Sequence, residues 1–182
     1  MLAGFRDFRQ IAGGRGQIFV ATAVVTAPAI YTAAAQTGPI LYNNSASSGK
    51  GVTAFVVAIA YGVTTASTVA GAIGIAVGNQ GTSAPGTNTG ITLTGNLNPA
   101  GPASKCTLYN TATLANAPSA FMVTGHVHTG AVTVDTDDDN LVQLGGLVEV
   151  DAGGYYASVA ASAALTTAVM SISMVWFETP ND

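Results

Sequence analysis

From Ile18 onward, apolar residues come in short runs of Val, Ile, Ala, Tyr and Phe laced with Thr and Ser, and Gly, Asn, Ser and Pro separate the runs. An extended chain puts successive side chains on opposite faces, so such runs read as strands. The separators supply the positive φ and tight turns that end them. The pattern predicts strands over 38–43, 52–61, 68–77, 91–94, 104–112, 120–128, 131–135, 141–150, 154–160 and 168–177. Helical periodicity is nearly absent from this part of the chain, and no fixed-period repeat of the solenoid or propeller kind occurs. A strand and a turn roughly every ten residues point to an all-β fold, a single antiparallel β-sandwich or jelly roll. Two polar connections, 43–51 and 79–90, are expected as surface loops.

The first 17 residues follow another rule. Leu2, Phe5, Phe8 and Ile11 recur every three positions, which permits a short amphipathic helix, and Gly13-Gly14-Arg15-Gly16 makes a hinge before the first apolar run. The expected organisation is an N-terminal arm, 1–17, on one sandwich domain, 18–182. A chain of 182 residues suits one core.

Composition changes the picture. Charged residues make up 8% of the chain and hydrophobic residues 48%, against roughly a quarter charged in an ordinary soluble domain. So few charges cannot cover a solitary globule, and depletion of Lys and Glu is a mark of interface cores. A homo-oligomer or lattice component is expected. The charges are also segregated: Arg6, Arg9 and Arg15 stand against Asp7 in the first twenty residues, whereas Lys50 and Lys105 stand against eight acids in the remainder. A basic leader on an acidic body suggests an arm that docks on something else. Three arginines without interleaved aromatics make a poor nucleic-acid footprint, so no nucleic acid is expected as a partner. The stretch 18–35 resembles a secretory leader in following arginines and ending in alanines, but Pro28 and the many alanines make a poor membrane span. Neither a targeting signal nor a membrane is expected.

Chemistry-bearing residues are sparse. Asp135, Asp137 and Asp139 alternate in an acidic turn and could offer oxygen ligands to Ca²⁺, yet Asn140 and Gly146 stand where a calcium loop of the EF-hand type needs Gly and Glu. A solvated turn, or a partner for a neighbour's basic arm, is the plainer reading, and no cofactor is expected otherwise. His126 and His128 share one strand face, the geometry of a two-His metal pair, without a third ligand nearby; contact histidines are the plainer reading. Cys106 is the only cysteine and reads as a small buried hydrophobe. Ser158 and Ser162 lie in apolar context, Lys50 lacks a P-loop, and Gly71, Gly74 and Gly78 lie inside a strand run. Glu149 and Asp151 flank one strand end and read as a solvated turn. The sequon Asn43-Asn44-Ser45 matters only in a secretory pathway. Trp176 is expected to anchor the core or an oligomer axis. No enzyme is expected.

Two stretches carry a resemblance. Gly38-Pro39-Ile40-Leu41-Tyr42-Asn43-Asn44, a Ser/Gly turn and the long apolar run 52–62 form the first; Gly153-Gly154-Tyr155-Tyr156-Ala157-Ser158-Val159-Ala160 and the Trp176-bearing run 169–178 form the second. Across roughly 30–180 the chain resembles the jelly-roll decoration and head-spike proteins of tailed bacteriophages. The resemblance implies a trimer of sandwiches bound to a capsid or tail, without catalysis. The expected function is therefore a capsid decoration or cement protein on the virion surface, assembled in the host cytoplasm. Phe5, Arg6, Phe8, Arg9 and Arg15 would meet the major capsid protein or another virion protein. A receptor- or glycan-binding spike head displaying loops 43–51 and 79–90, and a shell-forming jelly-roll capsid protein, are the alternatives.

Overall fold

The computed structural model describes residues 18–45, 51–91, 93–97, 100–127, 129 and 140–181. These form two antiparallel sheets packed face to face. The first has the order β6 (Leu93–Asn96), β1 (Ile18–Thr26), β11 (Val169–Pro180), β3 (Val52–Thr65), β9 (Asn140–Val150). The second has the order β5 (Gly86–Gly90), β7 (Thr107–Thr113), β2 (Ala35–Asn43), β10 (Tyr155–Ala161), β4 (Gly71–Asn79), β8 (Ala120–Val127).

Without β5, β6 and β7 the sheets read β1-β11-β3-β9 and β2-β10-β4-β8. Every connection among these eight strands crosses to the opposite sheet except the one from β4 to β8. That order is the jelly roll. The exceptional connection carries the three remaining strands, which extend both sheets at one edge: β6 pairs with β1, β7 with β2, and β5 with β7.

The core follows from period-two alternation. In β11, Met170, Ile172, Met174 and Trp176 are fully buried while Val169, Ser171, Ser173 and Val175 face outward at intermediate exposure. In β1, Phe19, Ala21, Ala23 and Val25 face inward, and the Phe19 ring stacks on Trp176 at 5.5 Å between centroids. Cross-strand partners share a face, so one row runs inward through Phe19, Trp176, Val56 and Val148. The adjoining row runs outward through Ile18, Phe177, Phe55 and Glu149.

The expected strands are present wherever residues are described, with shifted ends, and the expected strand 131–135 lies outside the described residues. Residues 18–26, which resemble part of a secretory leader, form a strand that the alternation rule does not single out. The reason is that Val20 and Val24 on its outward face are apolar like Phe19 and Val25 on its inward face. The expected strand 91–94 is displaced to 93–96 as β6, and β5, which precedes it, was not expected. All five residues of β5, Gly-Thr-Asn-Thr-Gly, are exposed, and the strand exists through its pairing with β7.

The second sheet carries its own cover. Ile40, Tyr42, Tyr109, Ala112, Leu114 and Tyr156 form a small cluster on its outward face. Gly78 leaves room for Tyr156, since a Cβ there would lie 2.5 Å from the phenol oxygen. Gly154, at φ +97°, holds the β9–β10 turn so close to the loop after β4 that a Cβ would meet the Gly81 carbonyl at 2.0 Å. Any side chain at 154 is both strained and blocked.

Candidate functional site

The residues expected to meet a partner, Phe5, Arg6, Phe8, Arg9 and Arg15, and the acidic residues Asp135, Asp137 and Asp139 lie outside the described residues, as does His128. His126 is exposed on β8, opposite Ala72. No group of three His, Cys, Asp or Glu residues converges among the described residues.

Several polar residues that read as loop or surface positions are buried ties between strands. Asn43 is completely buried at the end of β2. Its Nδ2 donates to the carbonyls of Val52 (2.7 Å) and Val150 (2.9 Å), and its Oδ1 accepts from the backbone N–H and hydroxyl of Ser45. A sequon asparagine so engaged offers no amide to glycosylation in the folded state. Gln80 accepts from the Ala115 N–H, and the Tyr42 hydroxyl donates to the carbonyls of Gly81 (2.7 Å) and Ser83 (3.0 Å). The Tyr156 hydroxyl donates to the Asn116 carbonyl at 3.1 Å. The first residues of loop 79–90 are therefore clamped to the second sheet, through the backbone at Gly81 and Ser83, while the side chains of 82–84 and of the β5 segment are exposed. Ser158 donates to Gln36, and Ser162 accepts from the Ala72 N–H. Asp151 is exposed and accepts from Thr53, while Glu149 is exposed on β9.

The most concentrated polar arrangement among the described residues surrounds Glu178, which is 3% exposed. Its Oε1 accepts from the Ser104 hydroxyl, from the Trp176 indole N–H at 3.1 Å and from the Cys106 N–H at 3.4 Å; its Oε2 accepts from the Lys105 N–H at 2.9 Å. A carboxylate removed from water needs such donors, and bonds to a charged acceptor are stronger than neutral ones. Because Glu178 belongs to β11 in the first sheet and residues 104–106 lead into β7 in the second, this carboxylate pins the two sheets together at the extended edge. Trp176 was expected in the core or on an oligomer axis and lies in the core of the chain, whereas Glu178 was given no role. The available signal is a lone acid two residues after the only Trp in an apolar run.

Burial and the neighbouring Glu178 push the Cys106 thiol far above its usual range, so it stays protonated and unreactive at neutral pH. Beside it opens a cleft of about 660 Å³ between the extended sheet edges, walled by Phe19, Ile91, Pro102, Thr107 and Trp176. The Ser104 hydroxyl in its wall is already committed to Glu178. The cleft offers apolar surface and hydroxyls, and among the described residues no nucleophile and base are paired in its wall.

The outward face of the first sheet is the feature with the broadest reach. Its cross-strand rows are Ile18 with Phe177, Phe55 and Glu149; Val20 with Val175, Ala58 and Gln143; Thr22 with Ser173, Ala60 and Leu141; and Val24 with Ser171 and Gly62; and Leu147, next to the inward Val148, projects on the same side. The single charged residue among them is Glu149. Val24 is 66%, Leu141 63% and Leu147 83% exposed. Phe55 and Phe177 stack at 4.9 Å, and a Cβ at Gly146, in the irregular stretch of β9, would lie within van der Waals reach of both. The Thr22 and Ser173 hydroxyls bond to each other at 2.8 Å, which uses polarity that would otherwise face water. Solvent-facing sheets ordinarily carry Lys and Glu, and exposed apolar area of this kind marks interaction surfaces.

Geometry thus defines the class as a jelly-roll β-sandwich with one self-covered sheet and one bare, charge-poor sheet. No family model, curated protein or solved structure matches the chain.

Two outcomes test these ties. Glu178→Ala leaves the Lys105 and Cys106 N–H groups and the Trp176 indole without their acceptor, and should cost about 3 kcal/mol. Urea unfolding followed by Trp176 fluorescence measures it, and a loss under about 1 kcal/mol would mean that water replaces the carboxylate. Burial raises Tyr156 to about 12, and Tyr42 and Tyr109 are raised also. A folded-state value above the unfolded one gives stability that is complete below pH 10 and lost as pH rises toward about 12. Alkaline unfolding should therefore coincide with phenolate absorbance of these tyrosines, and Tyr156→Phe should flatten the pH slope.

Proposed function

We propose that the protein is a structural component of a virus particle, a decoration or cement protein that stabilises a phage head by packing against copies of itself and against the shell. The observation that carries this reading is the outward face of the first sheet, broad and nearly free of charge, on an architecture that recurs in viral capsid domains. Many such faces buried side by side give stability by mass action, each contact adding to the effective concentration of the next. The arm residues Phe5, Arg6, Phe8, Arg9 and Arg15 add apolar and cationic contacts to the assembly. A trimer is the proposed unit. Calcium at Asp135, Asp137 and Asp139 is a subsidiary proposal, with those carboxylates shared across a subunit boundary.

A shell-forming role is the second reading, favoured by the eight-strand jelly-roll order that remains when β5, β6 and β7 are set aside. Three arginines in the arm give little charge for neutralising a genome, which supports decoration over shell formation. Electron microscopy of the purified full-length chain separates them. Discrete trimer-sized particles are expected; closed shells assign the second role, and a field of dispersed single subunits overturns both.

A further inference from the structure

We propose that residues 1–17 dock on the outward face of the first sheet of their own chain, over the patch formed by Ile18, Phe55, Leu147 and Glu149. The patch is apolar, with Leu147 83% exposed at its crest, and carries acids at its rim in Glu149 and, just beyond, the exposed Asp151. The segment supplies the complement: Leu2, Phe5, Phe8 and Ile11 as an apolar stripe and Arg6, Arg9 and Arg15 as cations, on a chain whose other residues are net acidic.

The point of attachment favours this occupant. Ile18, the first residue of β1, belongs to the same outward row as Phe177, Phe55 and Glu149. Crossing that row from β1 to β9 takes three inter-strand steps, about 14 Å. The spacer between Ile11 and Ile18, residues 12–17, reaches about 20 Å when extended, and its glycines permit the reversal. A tethered segment within reach acts at an effective concentration in the millimolar range. Below the concentration at which copies associate, the chain's own face therefore outcompetes a neighbour's. The arm then shields the bare sheet in the free subunit and is displaced, or exchanged, when copies pack. This inference stands on the sheet face and the arm sequence and does not depend on the virion reading.

A pair of introduced cysteines in the full-length chain tests it. The native Cys106 is buried and does not compete. Phe8→Cys with Leu147→Cys is compared with Phe8→Cys with Val24→Cys, which places the second thiol at the far end of the same face. Both sheet positions are exposed, so the fold tolerates the changes. Under mild oxidation of dilute protein, the 8–147 pair should close within one chain at least about tenfold faster than the 8–24 pair, as local docking raises its effective concentration. Peptide mapping and non-reducing electrophoresis read the linkage. Bonds mainly between chains, equal rates for the two pairs, or no 8–147 bond would each overturn the proposal.

Discussion

The structure turns on β11, the strand that joins the beginning of the chain to its middle. It lies between β1 and β3, so the first sheet cannot form until the last strand is in place. Its inward side chains, from Met170 to Trp176, supply the centre of the core, and Glu178 beyond them pins the insertion strands to both sheets. Removing Trp176 alone would cost about 3–5 kcal/mol by the usual measure of a large core deletion. Nearly all stabilising pairings here join distant parts of the sequence, so loop closure precedes reward and folding should be slow.

The two sheets solve the problem of an outward face in opposite ways. The second buries Tyr42, Tyr109 and Tyr156 beneath the chain's own loops, and the tyrosine hydroxyls satisfy loop carbonyls that would otherwise need water. The first has no comparable cover among the described residues. Its polarity comes chiefly from the Thr22, Ser171 and Ser173 hydroxyls, the Gln143 amide and Glu149, which is little for a surface meant to stay in solvent. Both sheets are poor in charge, the strands of the second carrying no Asp, Glu, Lys or Arg; what sets the first sheet's outward face apart is its missing cover, and the proposed role of this face in packing follows from that.

Much of the fold was legible because β11 alternates through Ser171 and Ser173, β3 is a long apolar run rich in Val and Ala, and Gly-, Asn- and Ser-rich turns separate the strands. Where tertiary context decides, the sequence was silent. β1 is apolar on both faces and lacks the alternating signal; β5 is Gly-Thr-Asn-Thr-Gly and owes its conformation to β7. Asn43 and Gln80 looked like loop residues because polar side chains at strand ends usually are. Their burial depends on which carbonyls and N–H groups other strands bring to them, and no local pattern encodes that. Glu178 illustrates the same point, since three of its four partners, at 104–106, lie more than seventy residues away. The arm and the acidic turn, the two segments with the most charge, fall outside the described residues.

The most direct test of the account is the mass of the full-length protein in solution, by light scattering at micromolar concentration, alongside a variant carrying Val24→Lys and Ser173→Lys. The account predicts that the native chain has a mass several times its 18.1 kDa, and that the two lysines, placed on the bare face without touching the core, reduce it to a folded monomer. A native chain that is already monomeric, or a variant that keeps the native mass, would contradict the claim that this face exists to be covered by other copies.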